Sequence, residues 1–307
     1  MISGSLVALV TPFNAKGQVD YKTLEQLVIW HVAQGTDGLV CCGTTGEGMT
    51  LSDEEKKEIV AKAVAIAGKK ISIIACSGSA NTKQSVYLTE QMLHLGASGC
   101  LIITPYYNRP TQRGCFLHFS EIAKVGLPII LYNNPIRSAI QLTVETIAEL
   151  AQISGIIAIK ESSGCLELIR NLRKISSIPI LSGEDHLTYQ TLIEGGSGSI
   201  SVIGNIIPSA WKKMITFAVN GKRDVAQSIA RRAAILCKVL FLETNPQCIK
   251  YAMSWLGKCR EDLRLPLLPP TLEAQCRIKT ALIEWALYSR LYFDRRHFNG
   301  PFFPKFQ

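Results

Sequence analysis

Ile156-Ile157-Ala158-Ile159-Lys160-Glu161-Ser162-Ser163 is the stretch from which the rest of this chain is read. Four apolar residues run directly into a lysine, an acid and two hydroxyls. A short apolar run rich in β-branched residues reads as a strand buried on both faces. Lysine is rarely fully buried without a partner, so one that closes such a strand needs a reason. The bland reason is that its stem packs along the strand and its ammonium snorkels to water. The sharper reason is chemical. Desolvation in an apolar pocket favours a neutral amine, which is a nucleophile able to form a Schiff base with a carbonyl.

Seven more runs of the same kind surround it: Leu6–Val10, Gly38–Cys42, Ile71–Cys76, Cys100–Thr104, Pro128–Tyr132, Pro179–Gly183 and Gly198–Ile203. Amphipathic, helix-like segments alternate with them. Asp20 is an N-cap candidate for a helix to about Ala33, and Ser52-Asp53-Glu54-Glu55 has the capping-box pattern. Asn81 opens a further helix to about Leu95. Eight such βα units predict an α/β chain folded as a (β/α)8 TIM barrel over residues 1–220, carrying the active site. A doubly wound sheet is the alternative, since alternation alone does not prove closure. Its dinucleotide fingerprint is missing, because the glycines of Gly43-Thr44-Thr45-Gly46-Glu47-Gly48 have the wrong spacing. No nucleotide cofactor is expected. Helical segments near Asp224–Phe241, Pro246–Leu256 and Thr271–Tyr288 make a C-terminal helical region over 221–290. A basic, phenylalanine-rich tail follows over 291–307, with Phe293, Phe298, Phe302, Phe303 and Phe306.

Composition narrows the class. The 307 residues are 47% hydrophobic and 19% charged, which suits a globular protein with a sizeable core. No apolar run is long enough to span a bilayer, and no basic region precedes the first apolar residues. A cytoplasmic enzyme without membrane association is expected. The ten cysteines are scattered, without C-x-x-C spacing, and the five histidines lack H-E-x-x-H spacing. Reduced thiols and no metal are expected. The net charge of +9 is spread along the chain, which argues for a solvated basic surface rather than nucleic-acid binding.

Barrels of this class carry their chemistry at the C-terminal ends of the strands. Thr44 and Thr45 follow strand two, Tyr106 and Tyr107 strand four, Tyr132 ends strand five and Lys160 ends strand six. Each has a bland reading, as a turn hydroxyl, an interface patch or a core residue. Their joint placement favours a site. The segments Gly43-Thr44-Thr45-Gly46-Glu47, Pro105-Tyr106-Tyr107-Asn108-Arg109-Pro110, Tyr132-Asn133-Asn134-Pro135 and Ile159-Lys160-Glu161 also carry a resemblance. In order and spacing the chain resembles the dihydrodipicolinate synthase family, within the N-acetylneuraminate lyase superfamily of pyruvate-dependent class I aldolases. The likeness runs from about Ile2 to Leu267.

The resemblance implies that Lys160 forms an imine with pyruvate and that the derived enamine attacks L-aspartate 4-semialdehyde. This would be the first committed step of diaminopimelate and lysine biosynthesis, with no cofactor beyond the covalent Schiff base. Tyr132 would be the acid/base, linked through Thr44 to Tyr107 of a neighbouring subunit in a homotetramer built as a dimer of dimers. Thr45 would hold pyruvate's carboxylate and Arg137 the second substrate's carboxylate, with Ile203 and Gly183 as further substrate-binding positions. Tyr106 and Asn81 would be remnants of a site for inhibitory lysine. Ser85 stands there in place of a glutamate, with Asp53 and Lys56 in place of two histidines, so weak lysine sensitivity is expected. Two departures lie beside the second-substrate pocket: Asn134 replaces a small apolar residue, and Ser138-Ala139 replaces Thr-Gly. An N-acetylneuraminate lyase or a 2-keto-3-deoxy sugar acid aldolase would use the same lysine and tyrosine. The sialate enzymes carry Ser at Thr44, and a sugar-acid pocket has no use for Arg137. A non-catalytic barrel that binds through its basic tail is the remaining alternative.

Overall fold

The computed structural model describes residues 2–292, with side chains to residue 287. Eight parallel strands close into a barrel in sequence order, β1 pairing with both β2 and β8. They are β1 (Gly4–Ala8), β2 (Gly38–Cys41), β3 (Ser72–Cys76), β4 (Gly99–Ile103), β5 (Ile129–Asn133), β6 (Ile156–Glu161), β7 (Ile180–Ser182) and β8 (Gly198–Ser201). The outer helices are α1 (Tyr21–Ala33), α2 (Asp53–Ala67), α3 (Thr82–His94), α4 (Gln112–Ala123), α5 (Pro135–Ser138), α6 (Val144–Leu150), α7 (Leu166–Ile175), α8 (Thr188–Ile193) and α9 (Pro208–Val219). A C-terminal region adds α10 (Arg223–Val239), α11 (Gln247–Trp255) and α12 (Leu272–Tyr292). The expected barrel and helical appendage are both present. The tail phenylalanines Phe293, Phe298, Phe302, Phe303 and Phe306 lie outside the described residues.

Period-two alternation sorts each strand between two cores. Leu6, Ala8, Val40, Ile74, Leu101, Ile130, Ala158, Leu181 and Ile200 fill the barrel interior. Val7, Leu39, Cys41, Ile73, Ile102, Leu131 and Ile159 face outward into the layer under the helices. Burying one such side chain contributes about 1.5–3 kcal/mol, so a register slip that exchanged the faces would be strongly opposed. The parity also places the chemistry. Ala158 points inward, so Lys160 does; Ile130 points inward, so Tyr132 does.

Local signals hold the outer layer. The Asp20 side chain caps α1 at the Thr23 N–H, and Ser52 and Glu55 form the reciprocal box that opens α2. Such caps contribute about 1 kcal/mol each. Two elements differ from expectation. β8 stops at Ser201 because the Asp185 carboxylate accepts the N–H groups of both Val202 and Ile203, drawing the chain into a 3₁₀ turn. The single-turn α5 inserts after β5, capped by the Asn134 side chain with Pro135 in its first turn.

Among the described residues, no helix is long and apolar enough to cross a membrane, and no cluster of three or more metal-ligating side chains occurs.

Candidate active site

β5 and β6 are paired in register with Tyr132 opposite Lys160 at the C-terminal rim. Both are 7% exposed. The Lys160 Nζ lies 4.3 Å from the centre of the Tyr132 ring, so the amine rests on the phenol's π face. Gly183 makes space for the lysine stem: a Cβ there would lie 2.8 Å from Lys160 Cε. These side chains face a cavity of about 570 Å³ that Thr44, Thr45, Asn134, Arg137, Glu184 and Asn245 also line.

Hydrogen bonds hold the rim. Thr45 is buried and its Oγ1 accepts a bond from Asn245 Nδ2 at 3.0 Å, while Arg137 Nη2 reaches the Asn245 carbonyl at 3.4 Å. Asn245, just ahead of α11, therefore ties together the two residues expected to meet carboxylates. The loop after β2 is clamped from the same region. The buried Lys250 Nζ meets Glu47 Oε1 at 2.7 Å, and the Arg264 N–H meets Glu47 Oε2 at 3.0 Å. Burial pushes Lys250 below the usual lysine range, against the pull of Glu47. Glu184 and Glu243 are the acidic residues that line the cavity; Glu184 is the one beside Lys160 and Arg137. Burial raises the Glu184 carboxyl, and Lys160 and Arg137 draw it back down.

Tyr132's hydroxyl oxygen is 2.9 Å from Asn134 Nδ2. Thr44 lines the same cavity, but among the described residues of one protomer it makes no hydrogen bond to Tyr132. Tyr107 is outside its own cavity, 94% exposed on a backbone with φ +70°. A non-glycine residue held there stores strain of order 1–3 kcal/mol.

Ile203 does not line the cavity: it is fully buried, and its N–H is given to Asp185 in the turn that ends β8. Val202 lines the cavity instead. Sequence reasoning missed Asn245, Glu184 and Lys250. Lys250 carried a signal, a lysine embedded in the apolar run of α11.

A second cavity, about 370 Å³, adjoins the first and shares Thr44, Tyr132 and Arg137 with it. Tyr106, Met49, Asp53, Lys56 and Gln84 line it. Asp53 is engaged there by Gln84 Nε2 at 2.9 Å and by Lys56 at 3.6 Å. Ser85 is absent from this lining. Its hydroxyl is buried against Ser79, and Asn81 spends its side-chain oxygen on capping α3.

A family model described as the Dihydrodipicolinate synthetase family matches residues 1–284. The chain belongs to that family. A 4-hydroxy-tetrahydrodipicolinate synthase of Syntrophobacter fumaroxidans is 42% identical over 291 residues, covering 94% of this chain and all of that one. The crystal structure of dihydrodipicolinate synthase from Aquifex aeolicus superposes with a TM-score of 0.91 at 40% identity, covering 93% of this chain and 99% of that one. The enzyme of Cyanidioschyzon merolae, solved with lysine bound, gives 0.90 at 36% identity, covering 93% of this chain and 98% of that one. Of the residues that carried the resemblance, Thr44, Thr45, Tyr132 and Lys160 line the first cavity, Tyr106 lines the second, and Tyr107 lies on the surface.

Proposed function

We propose that this chain works as the 4-hydroxy-tetrahydrodipicolinate synthases it resembles do, joining pyruvate to L-aspartate 4-semialdehyde at Lys160. The observation that carries the reading is the paired register of Lys160 and Tyr132 on the floor of one cavity. The Lys160 amine adds to the ketone carbon of pyruvate, and water leaves to give an iminium. That cation is the electron sink, so the reaction needs no further cofactor. Loss of a methyl proton gives the enamine, whose carbon forms a bond to the aldehyde carbon while the aldehyde oxygen gains a proton. The amine of the second substrate then attacks the iminium carbon, closes the ring and releases Lys160.

Tyr132 is the proton carrier in this reading, since its phenol packs against the amine and lines the same cavity. Thr45, with the backbone N–H groups of its turn, is the seat for pyruvate's carboxylate. Arg137, 108 residues from Asn245 in sequence but hydrogen-bonded to it, offers its planar fork to the second carboxylate. Glu184 supplies a negative group for the substrate ammonium. A homotetramer and a cytoplasmic location accompany the reading, with Tyr107 handed to a neighbouring protomer.

Borohydride reduction in the presence of pyruvate tests the reading. A reduced pyruvyl group is expected on the peptide that holds Lys160, and Lys160→Ala and Lys160→Arg should both be inactive, since a guanidinium stays charged. Label on another lysine, or active enzyme without label, would overturn it.

A further inference from the structure

Asn134 follows Tyr132 by two residues and is 8% exposed. Both ends of its amide are engaged. Oδ1 accepts the Arg137 N–H at 3.1 Å, and Nδ2 lies 2.9 Å from the Tyr132 hydroxyl oxygen. A backbone N–H can only donate, so the end facing Arg137 is the oxygen. Flipping the amide would set two donors against each other, and the NH₂ is thereby fixed toward the phenol. The phenol oxygen must accept this bond. Its own proton is then free to point elsewhere, into the cavity it shares with Lys160.

We propose that Asn134 is a positioning residue for the proton-transfer step, acting through Tyr132. Its amide holds the phenol oxygen as an acceptor, turns the phenolic proton toward the cavity, and steadies the phenolate once that proton has left. The proposal rests on the reading of Tyr132 as the proton carrier. A hydrogen bond kept through proton transfer strengthens as charge develops on the oxygen. It therefore favours the transition state over bound substrate, and appears in kcat more than in KM. Thr44 makes no bond to the phenol among the described residues of the protomer.

The competing reading is that Asn134 only caps α5. Asn134→Asp separates the two, because aspartate caps as well as asparagine but has no N–H to give. The variant should melt within about 2 °C of the parent. Its kcat should fall about tenfold with the KM for pyruvate changed less than about twofold. The limb of the pH profile that needs the phenolate should move up by about one pH unit. Asn134→Ser is the second variant: its hydroxyl can still cap but stops short of the phenol, and it adds no charge. It should lower kcat in the same direction with a smaller displacement of the limb.

Exchange of pyruvate methyl protons into D₂O, followed by NMR, reads the proton step without the second substrate and should slow about tenfold in both variants. Unchanged exchange and an unchanged pH profile in either variant would overturn the proposal. So would activity lost only in proportion to lost folded protein, with the pH limb in place. If borohydride fails to trap pyruvate on Lys160 in the parent, the underlying reading has failed. Trapping at Lys160 with normal exchange in Asn134→Asp fails the proposal alone.

Discussion

Asp185 shows how tightly individual groups around Lys160 are constrained. Its carboxylate is 4% exposed and accepts two backbone N–H groups at 3.0 and 2.7 Å. Burial pushes the carboxyl up to about 7 from 3.8, outweighing the two bonds that pull it down. A carboxyl raised in the folded state favours its neutral form there. Its stabilising share is complete below about pH 4 and is lost as pH rises through about 7. The substitution Asp185→Asn would keep an acceptor for both N–H groups without that titration. The melting temperature of the variant should therefore gain on the parent between pH 4 and 7; parallel curves would refute the assignment. At this scale Lys160 and Tyr132 were legible because a reactive side chain at the end of an apolar strand is conspicuous. The amide of Asn134 was not, because a hydrogen bond between neighbours two apart depends on the turn of α5. Asn245 is 200 residues from Thr45, a distance at which no local pattern speaks.

Among the elements, the loop between β2 and α2 depends on the C-terminal region. Glu47 receives both Lys250 and Arg264, and Arg264 Nη1 also bonds the Thr50 carbonyl at 2.7 Å. Removing one partner of a buried ion pair leaves the other charge uncompensated, at a cost of about 3–5 kcal/mol. Lys250→Met is expected to destabilise the chain by that amount in urea unfolding, and to raise the KM for pyruvate because Thr45 shares the loop. The double variant Lys250→Met with Glu47→Leu should recover much of the stability; equal loss in single and double variants would contradict the pairing. Strand identities were legible, since apolar runs bounded by Gly, Pro and hydroxyl residues have the length of strands. Two boundaries were not. Val202 and Ile203 are apolar enough to extend β8, yet the Asp185 carboxylate turns them. The four residues of α5 are too few to show a helical period.

For the molecule as a whole, Tyr107 and Met49 are large side chains left 94% and 73% exposed, the kind of anchor that interfaces between protomers use. If Tyr107 completes a neighbour's site across a two-fold interface, two inactive variants should complement each other. Mixing Lys160→Ala with Tyr107→Phe and allowing subunits to exchange should restore about a quarter of the parent activity. No recovery in exchanged mixtures would argue against a shared site. The barrel closure was legible only as a count of alternating units; the pairing of β1 with β8 joins segments with Gly4 and Gly198 in register, which alternation does not encode. The ties from Asn245, Lys250 and Arg264 carry a consequence in time. A ribosome delivers Lys160 and Tyr132 long before these residues, and domains form from the N-terminal end as they emerge. A growing chain thus holds its nucleophile while the loop beside it still lacks its clamp. The competence to take a keto acid comes late in synthesis, and a message cut short before Asn245 would encode the reactive amine without the residues that tie Thr45, Arg137 and Glu47 in place around it.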